Sequence, residues 1–206
     1  MRKFVLCLVL VLTFASPAAA CIGARQAAMG WCGVAISDDA TASYWNPAAL
    51  VWARDGVMYG SIFGGIDSSV KYNDWGCHFV KDWDKQYFRI SYGHQINNRT
   101  AIGCNIGWFS YVDGHQHPSL DLSLLHKFNN FTFGILAQNV GNIRPEIAYH
   151  TDYFTAAIGF YDLFDICKRF NGGETLRDFH AGIELRPFSL LSLRGGYNTY
   201  YGITYG

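Results

Sequence analysis

From residue 57 onward the chain alternates apolar and polar or small residues with a period of two. That period constrains the fold more than any other feature, because only in a strand do successive side chains point to opposite faces. In Thr100–Val112, Ile102, Cys104, Ile106 and Trp108 share one face, and Ala101, Gly103, Asn105 and Gly107 share the other. In Ser119–Phe128, Leu120, Leu122 and Leu124 oppose Asp121 and Ser123. Phe131, Phe133, Ile135 and Ala137 oppose Thr132, Gly134 and Gln138. Phe154, Ala156, Ile158 and Phe160 oppose Thr155, Ala157 and Gly159. Phe179, Ala181, Ile183 and Leu185 oppose His180, Gly182, Glu184 and Arg186, and Leu191, Leu193 and Tyr197 oppose Ser192, Arg194 and Asn198. Asn97-Asn98, Asp113-Gly114, Asn129-Asn130 and Asn171-Gly172-Gly173 separate the runs, where residues tolerant of positive φ are needed. The pattern predicts an all-β chain of antiparallel strands, about 10 of them at roughly 15 residues per strand plus turn.

Alternation does not say which face is buried. A soluble sandwich would hide the large apolar faces inside, whereas a transmembrane barrel would turn them to lipid and keep its lumen polar. Arg89, Asp121, Glu184, Arg186 and Arg194 are the polar residues a barrel would direct into its lumen. Composition leans the same way: charged residues make up 16%, below the usual ~25%, while aromatics reach 17% and glycines number 22. Lys plus Arg equals Asp plus Glu, 16 each, so a basic footprint for nucleic acid is absent.

The N-terminus reads as an export signal spanning residues 1–20. Arg2 and Lys3 precede an apolar run from Phe4 to Ala15, Ser16-Pro17 breaks it, and Ala18-Ala19-Ala20 supplies a small-residue cleavage site. The run is too short to cross a bilayer as a helix, and no later stretch of about 18 apolar residues follows. Cys21 comes directly after the cut, so either plain cleavage or acylation of a weak lipobox fits, with Ala18 where lipoboxes carry a larger aliphatic residue.

The remaining cysteines, Cys21, Cys32, Cys77, Cys104 and Cys167, are odd in number and irregularly spaced, with no zinc-type pattern. A Cys21–Cys32 bridge is open; Cys77 and Cys104 read as small apolar residues. His115-Gln116-His117 has no third ligand in reach of the sequence and reads as a polar loop. Asp38-Asp39 reads as a helix cap in preference to a calcium ligand pair, and Asp82–Lys85 as a solvated turn. Nucleotide, metalloprotease and nucleophile-elbow motifs are missing, so no catalytic residue, metal or cofactor is expected.

Between the signal and the strands, residues 21–56 have a different character. Gly23-Ala24-Arg25, Ala28-Met29-Gly30, Asp38-Asp39-Ala40 and Tyr44-Trp45-Asn46-Pro47-Ala48 follow in order. This arrangement resembles the entry motif of the FadL-type superfamily of outer-membrane barrels, in particular the branch of PorV/PorQ-like and TraF-like proteins. Trp31-Cys32 departs from it, since members usually carry small residues there. Leu136–Gly141 is similar to a strand ending of the family, and His180–Asn198 to one of its hairpins.

The resemblance implies that residues 21–56 plug the lumen of a barrel formed by 57–206. Asp38, Asp39, Asn46, Pro47 and Ala48 would form the hatch motif. A short helix is expected over Asp39–Leu50, capped by Asp38 or Asp39 and ended or kinked at Pro47. Family members typically have about 14 strands, so about 10 implies either a truncated 14-stranded type or a smaller barrel. The implied location is the outer membrane of a Gram-negative-type bacterium, with outer-membrane lipid as a partner. Three functions follow: a channel for hydrophobic small molecules, a PorV-like component of a protein secretion system, or a structural surface barrel without transport.

Overall fold

The structure is a computed structural model that describes residues 23–62, 65–81, 85–111, 116–139, 142–161, 179–188 and 191–206. The export signal, Cys21, Cys167, His115, Asp113-Gly114, the Asn171–Gly173 turn and Asp82–Asp84 lie outside the described residues.

The described residues form one antiparallel sheet of twelve strands in sequence order. The strands are β1 (Gly56–Ile62), β2 (Gly65–Tyr72), β3 (Trp75–Lys81), β4 (Lys85–Asn97), β5 (Thr100–Tyr111), β6 (Gln116–Phe128), β7 (Phe131–Gln138), β8 (Asn142–His150), β9 (Phe154–Phe160), β10 (Phe179–Phe188), β11 (Leu191–Asn198) and β12 (Gly202–Tyr205). Every strand pairs with its neighbours in the chain, so the topology is a meander with no crossover. The expectation of about 10 strands is therefore too low. Seven of the strands have 8 residues or fewer, so a spacing of roughly 15 residues per strand plus turn undercounts them.

Local chemistry sets the hairpins. Asn129-Asn130 joins β6 to β7 as a two-residue turn, with Asn129 at φ 52°. Asn73 makes the same left-handed step between β2 and β3, at φ 52°. Asn is among the few non-glycine residues that visit this region readily.

The two faces of the sheet are inverted relative to a soluble protein. On β6 the burial alternates strictly: Leu120, Leu122 and Leu124 are exposed, while Ser119, Asp121 and Ser123 are buried. On β5, Ile102, Ile106 and Trp108 are exposed and Asn105 is fully buried. On β10, Ile183 and Leu185 are exposed, whereas His180 and Glu184 are buried. Cys77 and Cys104 belong to the apolar face, where Cys77 is exposed, rather than to a packed core.

The buried polar face is covered by the chain's own N-terminal segment, residues 23–55. It carries a short helix α1 (Ala24–Ala28), a second short helix α2 (Ala42–Trp45) and a 3-10 turn (Pro47–Val51). Met29, Cys32, Val34, Trp45, Ala48 and Leu50 are almost completely buried. Hydrogen bonds tie the segment to strands far apart in the sheet: Ala48 N–H donates to Ser123 on β6, Ser91 on β4 donates to Ser43 O, and Gly30 N–H donates to Thr204 on β12. Backbone lies directly on backbone here. A Cβ at Gly103 would come within 2.3 Å of Ala48 N, a contact only glycine permits. No helix among the described residues is long and apolar enough to cross a membrane, which says nothing of strands.

The expected Asp39–Leu50 helix is broken in two. Asp39 Oδ1 accepts from Thr41 N–H at 2.8 Å, and Ala42 N–H donates to Asp39 O, so Asp39 opens the α2 turn. Asp38 does not cap; it pairs with Arg25. Asn46 is extended and its side chain accepts from Ala48 N–H, with Pro47 at the first position of the 3-10 turn. Pro47 thus starts an element rather than kinking one, which suits a residue whose missing N–H is not needed there.

Candidate functional site

The chemistry of the molecule is concentrated where the N-terminal segment meets the polar face. Three clusters stand out, and the register of the strands explains each.

The first surrounds Arg89, which is fully buried. Arg89 on β4 pairs with Gly107 on β5, and a Cβ at position 107 would fall 2.7 Å from Arg89 Cγ. The missing side chain lets Arg89 lie across β5 toward β6, where its Nη1 sits 3.3 Å from Asp121 Oδ2. Asp121 is also held by Asn105 Nδ2 at 3.2 Å and Asn139 N–H at 2.9 Å. The guanidinium carbon lies 5.0, 5.3 and 5.1 Å from the rings of Tyr44, Tyr87 and Phe109. Aromatic faces offset part of the cost of burying that cation.

The second is a charge triad. Glu184 accepts from Arg25 on the N-terminal segment (2.8 Å) and from Arg194 on the neighbouring strand (3.0 Å). Arg25 also reaches Asp38 at 2.7 Å and Ile36 O at 3.1 Å, so one guanidinium ties three parts of the chain together. Arg186 points to the same side of β10 and donates to Thr155 Oγ1 at 2.9 Å.

The third centres on Glu146 of β8. Its Oε2 accepts from Gly33 N–H (2.9 Å) and Val34 N–H (3.2 Å), and its Oε1 from Ala35 N–H (2.9 Å). His180 of β10 reaches the same carboxylate at 3.2 Å. Both Glu146 and His180 pair in register with Gly159 on the intervening β9, so the imidazole passes over a residue without a side chain. Arg144 lies nearby, over the rings of Trp45 (5.3 Å) and Tyr161 (4.6 Å). The Cys32 thiol is buried within reach of Glu146 and His180. Burial, and then the charge of Glu146, push that thiol well above its ordinary value, against the opposing effect of Arg144.

A cavity of about 560 Å³ opens at the edge of this interface. Ile36, Ala49, Trp52 and Leu125 give it apolar wall, and Asp38, Lys127 and His150 give it polar wall. The Lys127 ammonium sits 4.2 Å from the Trp52 ring centre.

All five expected lumen residues, Arg89, Asp121, Glu184, Arg186 and Arg194, lie on the covered face of the sheet. They do not form one cluster: Arg89 and Asp121 belong to the first, Glu184 and Arg194 to the second, and Arg186 bonds Thr151 and Thr155 apart from both. Of the hatch residues, Asn46, Pro47 and Ala48 pack against the middle strands, while Asp38 lies at the exposed rim. Sequence reasoning missed Arg25, Cys32, Arg144, Glu146 and His180 as site residues. For the strand residues the signal existed, since Arg144, Glu146 and His180 fall in the buried phase of their strands. Arg25 and Cys32 were marked only by the motif of residues 23–48, Arg25 as part of it and Cys32 as a departure, and no periodicity in that irregular segment says what they meet.

Comparison with models of known families found no match, and neither did comparisons with curated proteins or with solved structures.

Proposed function

We propose that the chain is an outer-membrane β-barrel whose lumen is filled by residues 23–55, serving as a channel for hydrophobic small molecules. The observation that carries this reading is the inversion of the sheet. Large aliphatic and aromatic side chains cover the exposed face, and Arg, Asp, Glu and His are buried. Such a surface in water would be a contiguous apolar patch far beyond what monomeric soluble proteins show; against lipid it is the expected outer band. Backbone groups in a bilayer must be paired, so β1 and β12 would have to meet each other or a partner strand. Twelve is an even number, so β1 and β12 run in opposite directions and suit antiparallel closure.

Small-molecule passage is favoured by the cavity beside Trp52 and Lys127, which combines apolar wall with a cation. A second reading, a PorV-like component of a protein secretion system, is favoured by how firmly the N-terminal segment is anchored, notably through Glu146 and Glu184. A structural barrel without transport is the limit of that reading.

Fractionation of the outer membrane followed by gel migration with and without boiling tests the reading. A barrel migrates differently before and after heating; recovery in the soluble fraction with no shift overturns it. A lipid or detergent molecule bound in the cavity beside Trp52 and Lys127 separates passage of small molecules from the secretion role, in which exported cargo co-purifies instead.

A further inference from the structure

We propose that Cys32, Glu146 and His180 bind a single zinc-like divalent cation that fastens the N-terminal segment to strands β8 and β10. One thiol, one carboxylate and one imidazole, from parts of the chain far apart in sequence, offer ligand atoms that all lie within 4.8 Å of one another. All three residues are buried, with Cys32 and His180 at 0% exposure.

Sulfur, nitrogen and carboxylate oxygen are the ligands of tetrahedral zinc. At bond lengths of about 2.0–2.3 Å, neighbouring ligand atoms in such a site stand roughly 3.3–3.8 Å apart. His180 Nε2 and Glu146 Oε2 are already 3.2 Å apart. The thiol lies within 4.8 Å of both, and Cys32 sits in an irregular segment rather than in a ladder, so it is free to close on the ion. A water molecule would complete the fourth position, as in other sites with three protein ligands.

The surroundings suit a fixed structural ion. Three backbone N–H groups from residues 33–35 hold the carboxylate in place, the orienting role that outer partners play around metal ligands. Oε2 meets the ion in place of its direct contact with His180, while Oε1 stays held by Ala35 N–H. A thiolate and a carboxylate together neutralise a doubly charged ion, and Arg144 nearby discourages a second one. On binding, the Cys32 S–H bond breaks and its proton leaves to solvent, the His180 ring proton shifts from Nε2 to Nδ1 to free the Nε2 lone pair, and sulfur–metal and nitrogen–metal bonds form. Glycine at 159 keeps the path between His180 and Glu146 clear; a Cβ there would come within 2.7 Å of His180 Nε2.

The test uses the full chain folded in detergent in the presence of zinc, or of cobalt as a spectroscopic substitute. One metal per chain is expected, with a thiolate-to-cobalt charge-transfer band. Cys32→Ser removes the band and His180→Gln weakens metal retention at least tenfold, whereas Cys104→Ser changes neither. A cooperative unfolding transition by circular dichroism, like that of the unsubstituted protein, shows that each variant folds. A folded wild-type protein that holds no metal, or a Cys32→Ser variant that keeps both metal and band, overturns the proposal. The outcome is independent of the membrane assignment, since the metal site requires only that the segment lie on the sheet.

Discussion

At the scale of single residues, the molecule depends on charges buried in pairs. Asp121 and Arg89 are both fully buried, 3.3 Å apart. Removing one partner leaves the other uncompensated, so Asp121→Ala is expected to destabilise by about 3–5 kcal/mol. The double change Arg89→Met with Asp121→Leu recovers most of that loss; urea unfolding followed by the heat-shift assay checks both. Asp55 behaves differently, because it is half-exposed and held by Lys71 at 2.6 Å. That hydrogen bond keeps its carboxyl below the ordinary 3.8. As pH falls, the unfolded chain therefore takes up the proton first. The pair's contribution is present above 3.8 and is lost as the pH drops through the lower folded value. Asp55→Asn should flatten the acid limb of the stability–pH profile, and an unchanged profile would show that the pair contributes nothing.

At the scale of elements, strands and turns are set by local sequence, and the N-terminal segment is not. Asn129 occupies the left-handed region at φ 52° in the β6–β7 turn. Asn129→Val should cost about 1–2 kcal/mol, whereas Asn129→Gly should be neutral or better; equilibrium unfolding of the two variants makes the comparison. The N-terminal segment holds its place through particular acceptors. Glu146 takes three backbone N–H groups and Glu184 takes Arg25. The segment's helices are only 5 and 4 residues long, too short to be stable alone. Its conformation therefore comes from the sheet beneath it. The alternating strands of β5, β6, β7, β9, β10 and β11 were legible in sequence with nearly correct limits. The four-residue β12 was not, because so few residues of alternation carry little periodic signal.

At the scale of the whole molecule, the inverted sheet gives the sharpest discrimination between environments. Leu122 is 49% exposed near the middle of β6. In the proposed barrel, Leu122→Arg places a charge against hydrocarbon and should destabilise by roughly 2–4 kcal/mol in bilayers. In a water-soluble sheet the same change would be neutral or would improve solubility. Stability measured in lipid vesicles decides between the two, with Ser192→Arg on the opposite side of the sheet as a position that should not follow the lipid rule.

The sequence by itself determined that the chain alternates and turns, because strand periodicity and the positive-φ residues at hairpin tips are local properties. It also separated the apolar phase of each strand from the polar one, and so grouped Arg89, Asp121, Glu184, Arg186 and Arg194 on one face. Tertiary structure decided which face is covered, since alternation is blind to whether an apolar surface meets a core or a solvent. It also decided the partners. Arg89 reaches Asp121 across Gly107, and His180 reaches Glu146 across Gly159. These contacts depend on strand register summed over several hairpins. Cys32 joins Glu146 and His180 only because an irregular segment without a period is laid along the polar face.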